Sequence, residues 1–237
     1  MSSSPPQAPD LAIAPSLGSR ALGGFGASIL GGAALGAAAW TADQLGQPWT
    51  ALIPVNAIGA WLGVAFVLGA SARTIPTGAL RGLIGLLSAV VAYYLLTGLL
   101  GDGFRAIGAS HAATIWGAVA LLAGPALGLA GATWRHGHGR PRAIAVALLG
   151  AAHVAEGLAF GAARLVNLDR FNLERLASDP GALILAAEAA LGIALPWLLL
   201  RPGERRAGYV SLAILAVVAA VAIGPLTELL RAVADRF

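Results

Sequence analysis

Seven apolar runs follow one another along the chain, separated by short stretches that carry arginine, proline or acidic residues. They cover residues 21–42, 53–70, 82–100, 112–133, 143–163, 181–200 and 208–230. Each is about 18–23 residues long, the length of helix that crosses a hydrocarbon core at about 1.5 Å per residue. In lipid every backbone N–H and C=O must find its partner within the chain, so runs of this length fold as helices. The expected fold is therefore all-α: a polytopic transmembrane helical bundle of about seven spans.

Composition closes the alternative of a soluble domain. Hydrophobic residues make up 58% of the chain and charged residues 11%, whereas a soluble surface needs about a quarter of residues charged. Several chemistries are excluded as well. The chain has no cysteine, which removes disulfides, thiolate metal sites and cysteine nucleophiles. All 15 basic residues are arginine, and without lysine no Schiff-base cofactor can be held. No P-loop, zinc-protease, nucleophile-elbow or dinucleotide pattern occurs. No cofactor and no resident metal are expected. The net charge of +4 is not a nucleic-acid footprint, because the arginines fall between the apolar runs, where they set topology.

Arginine placement favours an N-in, C-out arrangement. Nine arginines (20, 73, 81, 135, 140, 142, 201, 205 and 206) fall on the N-terminal side of the membrane and six (105, 164, 170, 175, 231 and 236) on the other. Residues 1–20, rich in serine and proline, are expected to form a disordered cytoplasmic tail. The bundle then occupies 21–230, with a short C-terminal tail at 231–237. Ala37 and Ala39 before Trp40 resemble a signal-peptidase site, but the long apolar run ahead of them reads as a retained anchor.

Helix association in lipid depends on close backbone approach, and small residues four apart provide it. Gly32/Gly36, Gly59/Gly63, Gly124/Gly128 and Gly157/Gly161 are such pairs. Pro125, Pro196 and Pro225 lie within spans and permit kinks. The segment 164–180 sets Leu165, Leu168, Phe171 and Leu176 among charges and is either a short interfacial helix or a plain polar connector. The six tryptophans lie mostly near span ends, as interfacial anchors do, with an aromatic-lined ligand site as the sharper alternative. Tyr93 and Tyr94 stand apart, inside the third span, where a buried hydroxyl needs a partner.

The residues that resist a purely apolar reading collect toward one side. Glu156 precedes the end of its run by seven residues, and Glu188 follows the start of the next by seven. On antiparallel helices both fall about 10 Å inside the outer boundary. A charge there costs about 2.5–3.5 kcal/mol unless it is paired, protonated or in a wet cavity. His153 is one turn from Glu156 on nearly the same face, placed to tune it. Asp43, Asn56, Ser110 and His111 also fall toward outer span ends. Three readings compete: a hydrogen-bonded plug, a solute or proton site open to the outside, and intramembrane acid–base catalysis, in which two carboxyls divide the roles of acid and base.

The stretches "AWLGVAFVLGASAR" (60–73), "YYLLTGL" (93–99), "WGAVALLAGPALGLAGATWR" (116–135) and "ALLGAAHVAEGLAF" (147–160) resemble a family of actinobacterial integral membrane proteins of unknown function. The resemblance spans the middle half of the chain and implies a multi-span helical protein of a Gram-positive plasma membrane. It carries no catalytic residues over. The architecture is also similar to the small substrate-binding subunits of energy-coupling-factor transporters, although those usually have six spans.

The expected function is a permease or solute-binding membrane subunit with a polar pocket toward the outer leaflet. Its binding residues would be Glu156, Glu188, His153, Asp43, Asn56, Tyr93 and Tyr94. Its partners would be the lipid bilayer, a small amphipathic solute and a further subunit, with no nucleic acid. The balance leans against an enzyme. Were it one, Glu156, Glu188 and Asp43 would be the acid–base groups acting on a lipophilic substrate such as an isoprenoid. A non-catalytic scaffold or accessory subunit is the remaining alternative.

Overall fold

The computed structural model describes residues 17–45, 57–100, 107–166 and 180–234. Among these the regular elements are all helical: α1 (Leu17–Gln44), α2 (Ile58–Ala70), α3 (Ile75–Leu100), α4 (Ile107–His136), α5 (Gly139–Val166), α6 (Pro180–Leu199) and α7 (Arg205–Ala234), with a 3-10 turn at Pro202–Glu204. Four segments are long and apolar enough to cross a membrane unaided: Gly24–Gln44, Ile75–Leu100, Ala112–His136 and Pro202–Ala222. The apolar helices Ile58–Ala70 and Ala186–Leu199 are shorter.

Element ends depart from the apolar runs in ways the local chemistry explains. α3 begins at Ile75, two turns before its run, because Thr74 and Thr77 cap it reciprocally. Thr74 N–H donates to Thr77 Oγ1 at 3.2 Å, and Thr77 N–H to Thr74 Oγ1 at 3.4 Å. Pro76 then sits in the first turn, where its missing N–H is harmless. The expected tail boundaries at residues 20 and 231 also move, since α1 starts at Leu17 and α7 runs on to Ala234. Neither Leu17–Arg20 nor Arg231–Ala234 contains a proline, so nothing there stops a helix at the edge of the apolar run. Residues 1–16 and 235–237, the core of both expected tails, lie outside the described residues, as do 167–179, where the interfacial helix or connector was expected. The α4–α5 turn needs glycine: Gly139 has φ +61°, a conformation other residues adopt only with strain.

Glycine faces hold the bundle together. A Cβ on Gly32 or Gly36 of α1 would strike the backbone of Gly85 or Ala89 of α3. The contacts advance in step, as in parallel helices. α3 and α4 cross antiparallel with Gly78 and Gly82 against Gly124 and Gly128, while Gly69 of α2 meets Gly128 from another side. Gly63 has open space beside it, so the Gly59/Gly63 pair is not a packing pair. α7 packs Leu212 and Ala216 against Ala147, Ala151 and Val154 of α5. Its other face shows Val210, Ile214, Val217 and Val221 outward, the surface a bilayer covers. α5 is central, touching α2, α4, α6 and α7, and its stretch from Ala145 to Glu156 is almost wholly buried.

The arginine-rich end is stitched through helix C-termini, where backbone carbonyls lack partners and cations are favoured. Arg81 donates to Ser71 O at 2.8 Å, Arg135 to Ala70 O at 3.4 Å and Arg142 to Leu199 O at 3.2 Å. His136, the last residue of α4, lies with Nε2 2.8 Å from Ala72 O. A carbonyl only accepts, so that nitrogen carries the proton. Asp43, Tyr93, Glu156 and Glu188, singled out above, lie toward the opposite end.

Candidate functional site

α2 begins without a cap of its own. Ala57 at its N-cap is extended (φ −74°, ψ 139°) and offers no side-chain acceptor. The acceptor comes from α5: Glu156 Oε1 receives the Ile58 N–H at 2.9 Å, and Oε2 receives the Gly59 N–H at 2.8 Å. A two-oxygen carboxylate is well matched to a helix N-terminus, which presents exactly the donors and partial positive charge it needs. One turn earlier on α5, His153 Nδ1 hydrogen-bonds Glu188 of α6. His153, Glu156 and Glu188 are 5%, 7% and 6% exposed.

Two glycine contacts make this clasp possible. Gly150 of α5 and Gly192 of α6 pack so closely that a Cβ on either would strike the other's backbone carbonyl. The Gly192 carbonyl is also the one that Pro196, four residues on, cannot serve with an N–H. This approach brings His153 and Glu188, each one turn away, within reach. Gly59 faces the pair, and a Cβ there would overlap both side chains. The clasp thus ties α2, α5 and α6 together. The histidine expected to tune Glu156 makes its direct hydrogen bond to Glu188.

A separate cavity of about 240 Å³ opens on the other side of α2. Its described lining comprises Ala39 and Asp43 of α1, Ile58 and Trp61 of α2, Tyr93 and Tyr94 of α3, and Trp116 of α4. The Gly36–Ala89 approach places Asp43, two turns further along α1, beside α3. There the Tyr93 hydroxyl donates to Asp43 Oδ2 at 2.5 Å. Tyr93 and Tyr94 pack edge to face with ring centroids 5.0 Å apart. Trp61 and Trp116 stack at 6.5 Å and 29°. Beside the tryptophans, Leu62, Leu86, Val90 and Ala120 line a further space of only about 10 Å³.

The expected cluster therefore divides. Asp43, Tyr93 and Tyr94 come together at the cavity. Glu156, Glu188 and His153 come together behind it, and Ile58, which lines the cavity and bonds Glu156, is the link. Asn56 lies outside the described residues. Among the described residues no three histidine, cysteine or acidic side chains are arranged to hold a metal ion. Trp61 and Trp116 were grouped with the interfacial anchors. Their placement was nonetheless recoverable: each lies early in a helix descending from the same end, so parallel α2 and α4 bring them level. Trp134 and Trp197 do sit at the arginine end, Trp134 donating to Leu199 O at 3.1 Å and Trp197 lying 5.3 Å from the Arg205 guanidinium.

Residues 15–232 match DUF6518, a family of unknown function. The chain belongs to that family. Neither the curated proteins nor the solved structures include a significant match. The DUF6518 match spans both the clasp and the cavity, and it agrees with the resemblance to a multi-span family without an assigned activity.

Proposed function

We propose that this membrane protein binds a small amphipathic solute in the aromatic cavity between α1, α2, α3 and α4. The observation that carries the reading is the composition of the cavity wall. Among the described lining residues one carboxylate, held by a tyrosine, stands among four aromatic rings and two aliphatic side chains. Ligand sites have this make-up, mostly apolar with a few placed polar groups. On this reading Asp43 and Tyr93 orient the polar end of the solute, and Tyr94, Trp61 and Trp116 bury its apolar body. Glu156, His153 and Glu188 act indirectly, by fixing the first turn of α2 and with it the wall at Ile58.

All seven helices cross the membrane in this reading, N-terminus in, with the cavity toward the outer leaflet. The arginine-stitched end then faces the cytoplasm. The apolar packing of Leu62, Leu86, Val90 and Ala120 beside Trp61 and Trp116 favours a binding subunit over an open conduit, and transport would require that packing to part.

The test is thermal unfolding of the purified full chain in detergent against a panel of small amines, alcohols and carboxylates with apolar bodies. Members that bind raise Tm, and Trp61→Ala removes the increase while leaving the unliganded protein folded. If no panel member shifts Tm, or if the shifts survive Trp61→Ala, the cavity is not the binding site.

A further inference from the structure

We infer that the place where α6 ends and α7 begins is a binding site for an anionic phospholipid; it lies at the arginine end and does not involve the cavity. Glu204 is the only acidic residue among the described residues of that end, and its carboxylate is occupied. Oε1 accepts the Gly139 N–H at 2.8 Å and Oε2 the Arg201 N–H at 3.3 Å. Among the described residues neither Arg205 nor Arg206 is in an ion pair. An arginine that only sets topology needs no fixed side chain, but Arg205 has one. Its Nε donates to the Leu200 carbonyl at 3.4 Å, and its guanidinium lies over the Trp197 ring, 5.3 Å from the centroid. These contacts leave its two terminal nitrogens without an acceptor among the described residues. A phosphate diester takes such a pair of donors in two parallel hydrogen bonds.

From that charge the outward face of α7 runs in the order in which a phospholipid presents its parts. Arg206 is exposed, and Tyr209 follows at 39% exposure, with Trp197 of α6 at 57%. Tyrosine and tryptophan settle at the headgroup level of a bilayer. Val210, Ile214, Val217 and Val221 continue the exposed face, while Leu212 and Ala216 pack on α5. At about 1.5 Å per residue, Val210 to Val221 covers roughly 16 Å, about one leaflet of a 30 Å hydrocarbon core. Charge decides the lipid class. A phosphocholine headgroup brings its own ammonium up to Arg205 and Arg206 and gains little net attraction. A headgroup whose single charge is the phosphate keeps all of it, which is why basic sites at the membrane surface select anionic lipids.

The deciding experiment is native mass spectrometry of the purified full chain from nonionic detergent, with phosphatidylglycerol and phosphatidylcholine of identical acyl chains in competition. Phosphatidylglycerol is expected to be retained about tenfold more. Arg206→Gln is expected to lower that preference to about threefold, and Arg205→Gln/Arg206→Gln to abolish it. Arg73→Gln, an equal loss of charge in the exposed connection between α2 and α3, is expected to leave it unchanged. Equal retention of the two lipids, or a preference that survives the double variant, overturns the site. So does an equal fall in Arg73→Gln, which would reduce the basic end to a diffuse field. Soluble glycerol phosphate is the remaining arm: if it displaces the lipid at equal concentration, a phosphate site stands in place of a lipid site and the assignment is overturned. The competition between lipids uses the unmodified protein, so it decides even if Arg205→Gln disturbs the fold.

Discussion

Two polar features lie against opposite sides of the first turn of α2, and they are built in opposite ways. In the clasp, the hydrogen-bonding groups of Glu156, His153 and Glu188 are turned on protein partners and sealed at 5–7% exposure. In the cavity, Asp43 is exposed at its helix end, and Tyr93, Tyr94, Trp61 and Trp116 surround space instead of filling it. A buried polar group whose partners are all supplied by the chain holds helices together. A polar group set at the rim of an aromatic space meets that space from one side, as Asp43 does while bonded to Tyr93. The same residue types, at the same end of one bundle, therefore carry different expectations for stability and for binding.

The strongest way to break that contrast is at Gly59. A Cβ there overlaps both His153 and Glu188, and separating a buried pair while overpacking its site costs about 4 kcal/mol. Gly59→Ala is expected to lose most folded protein in detergent, as read by size exclusion after heating. Gly63→Ala, one turn on with open space beside it, is the matched control. It should gain about 0.5–1 kcal/mol from helix propensity. Equal behaviour of the two variants would mean the clasp does not hold α2. A His153→Ala/Glu188→Ala double-mutant cycle sharpens the same point, with an expected coupling above about 1 kcal/mol.

Much of the fold was legible because lipid imposes a length and a polarity that no other environment does. The runs at 82–100 and 112–133 became α3 and α4, and Gly32, Gly36, Gly124 and Gly128 became contact points between helices. The polar residues were legible as exceptions but not as partners. Glu156 was matched to His153 by helical spacing, yet its acceptors are filled by the N–H groups of Ile58 and Gly59, 98 and 97 residues away in sequence. Ala57, a residue with nothing to cap with, was the only local hint that a distant carboxylate was needed. Gly59 looked like half of a packing pair, because a glycine leaves the same mark in sequence whether it admits a helix or an imidazole. The cavity was half legible. Asp43 and Tyr93 were noticed separately, but joining them required knowing that α1 pairs with α3 in parallel, and pairing is not a local property of either run.

Glu156→Ala is the next largest effect. It strips the distant cap from α2 and is expected to cost about 2 kcal/mol, the upper end for a lost N-cap. Glu156→Gln keeps one acceptor and should cost about 1 kcal/mol. Because Ile58 belongs to both features, the alanine variant should also weaken solute binding, and the glutamine variant much less. That gradation, read by Tm and by the ligand-induced increase in Tm, separates a positioning role from a direct ligand contact. A direct contact would show Glu156→Gln abolishing binding while Tm barely moved.

The smallest stability effect is expected at Asp43 and Tyr93. Tyr93→Phe removes one hydrogen bond at a helix end, worth about 0.5–1.5 kcal/mol net, and Asp43→Asn keeps an acceptor for the same hydroxyl. Neither should lower Tm as far as Glu156→Ala. Both should reduce solute binding, Asp43→Asn more, because it removes the charge as well as the fixed geometry. The Tyr93→Phe result is the finer test, since the carboxylate remains and only its orientation is freed. A modest loss of affinity with an unchanged ranking of the solute panel would assign Tyr93 to positioning. A collapse of folding in either variant, comparable with Gly59→Ala, would instead make the Asp43–Tyr93 bond a second clasp, and the distinction between the two sides of α2 would fall with it.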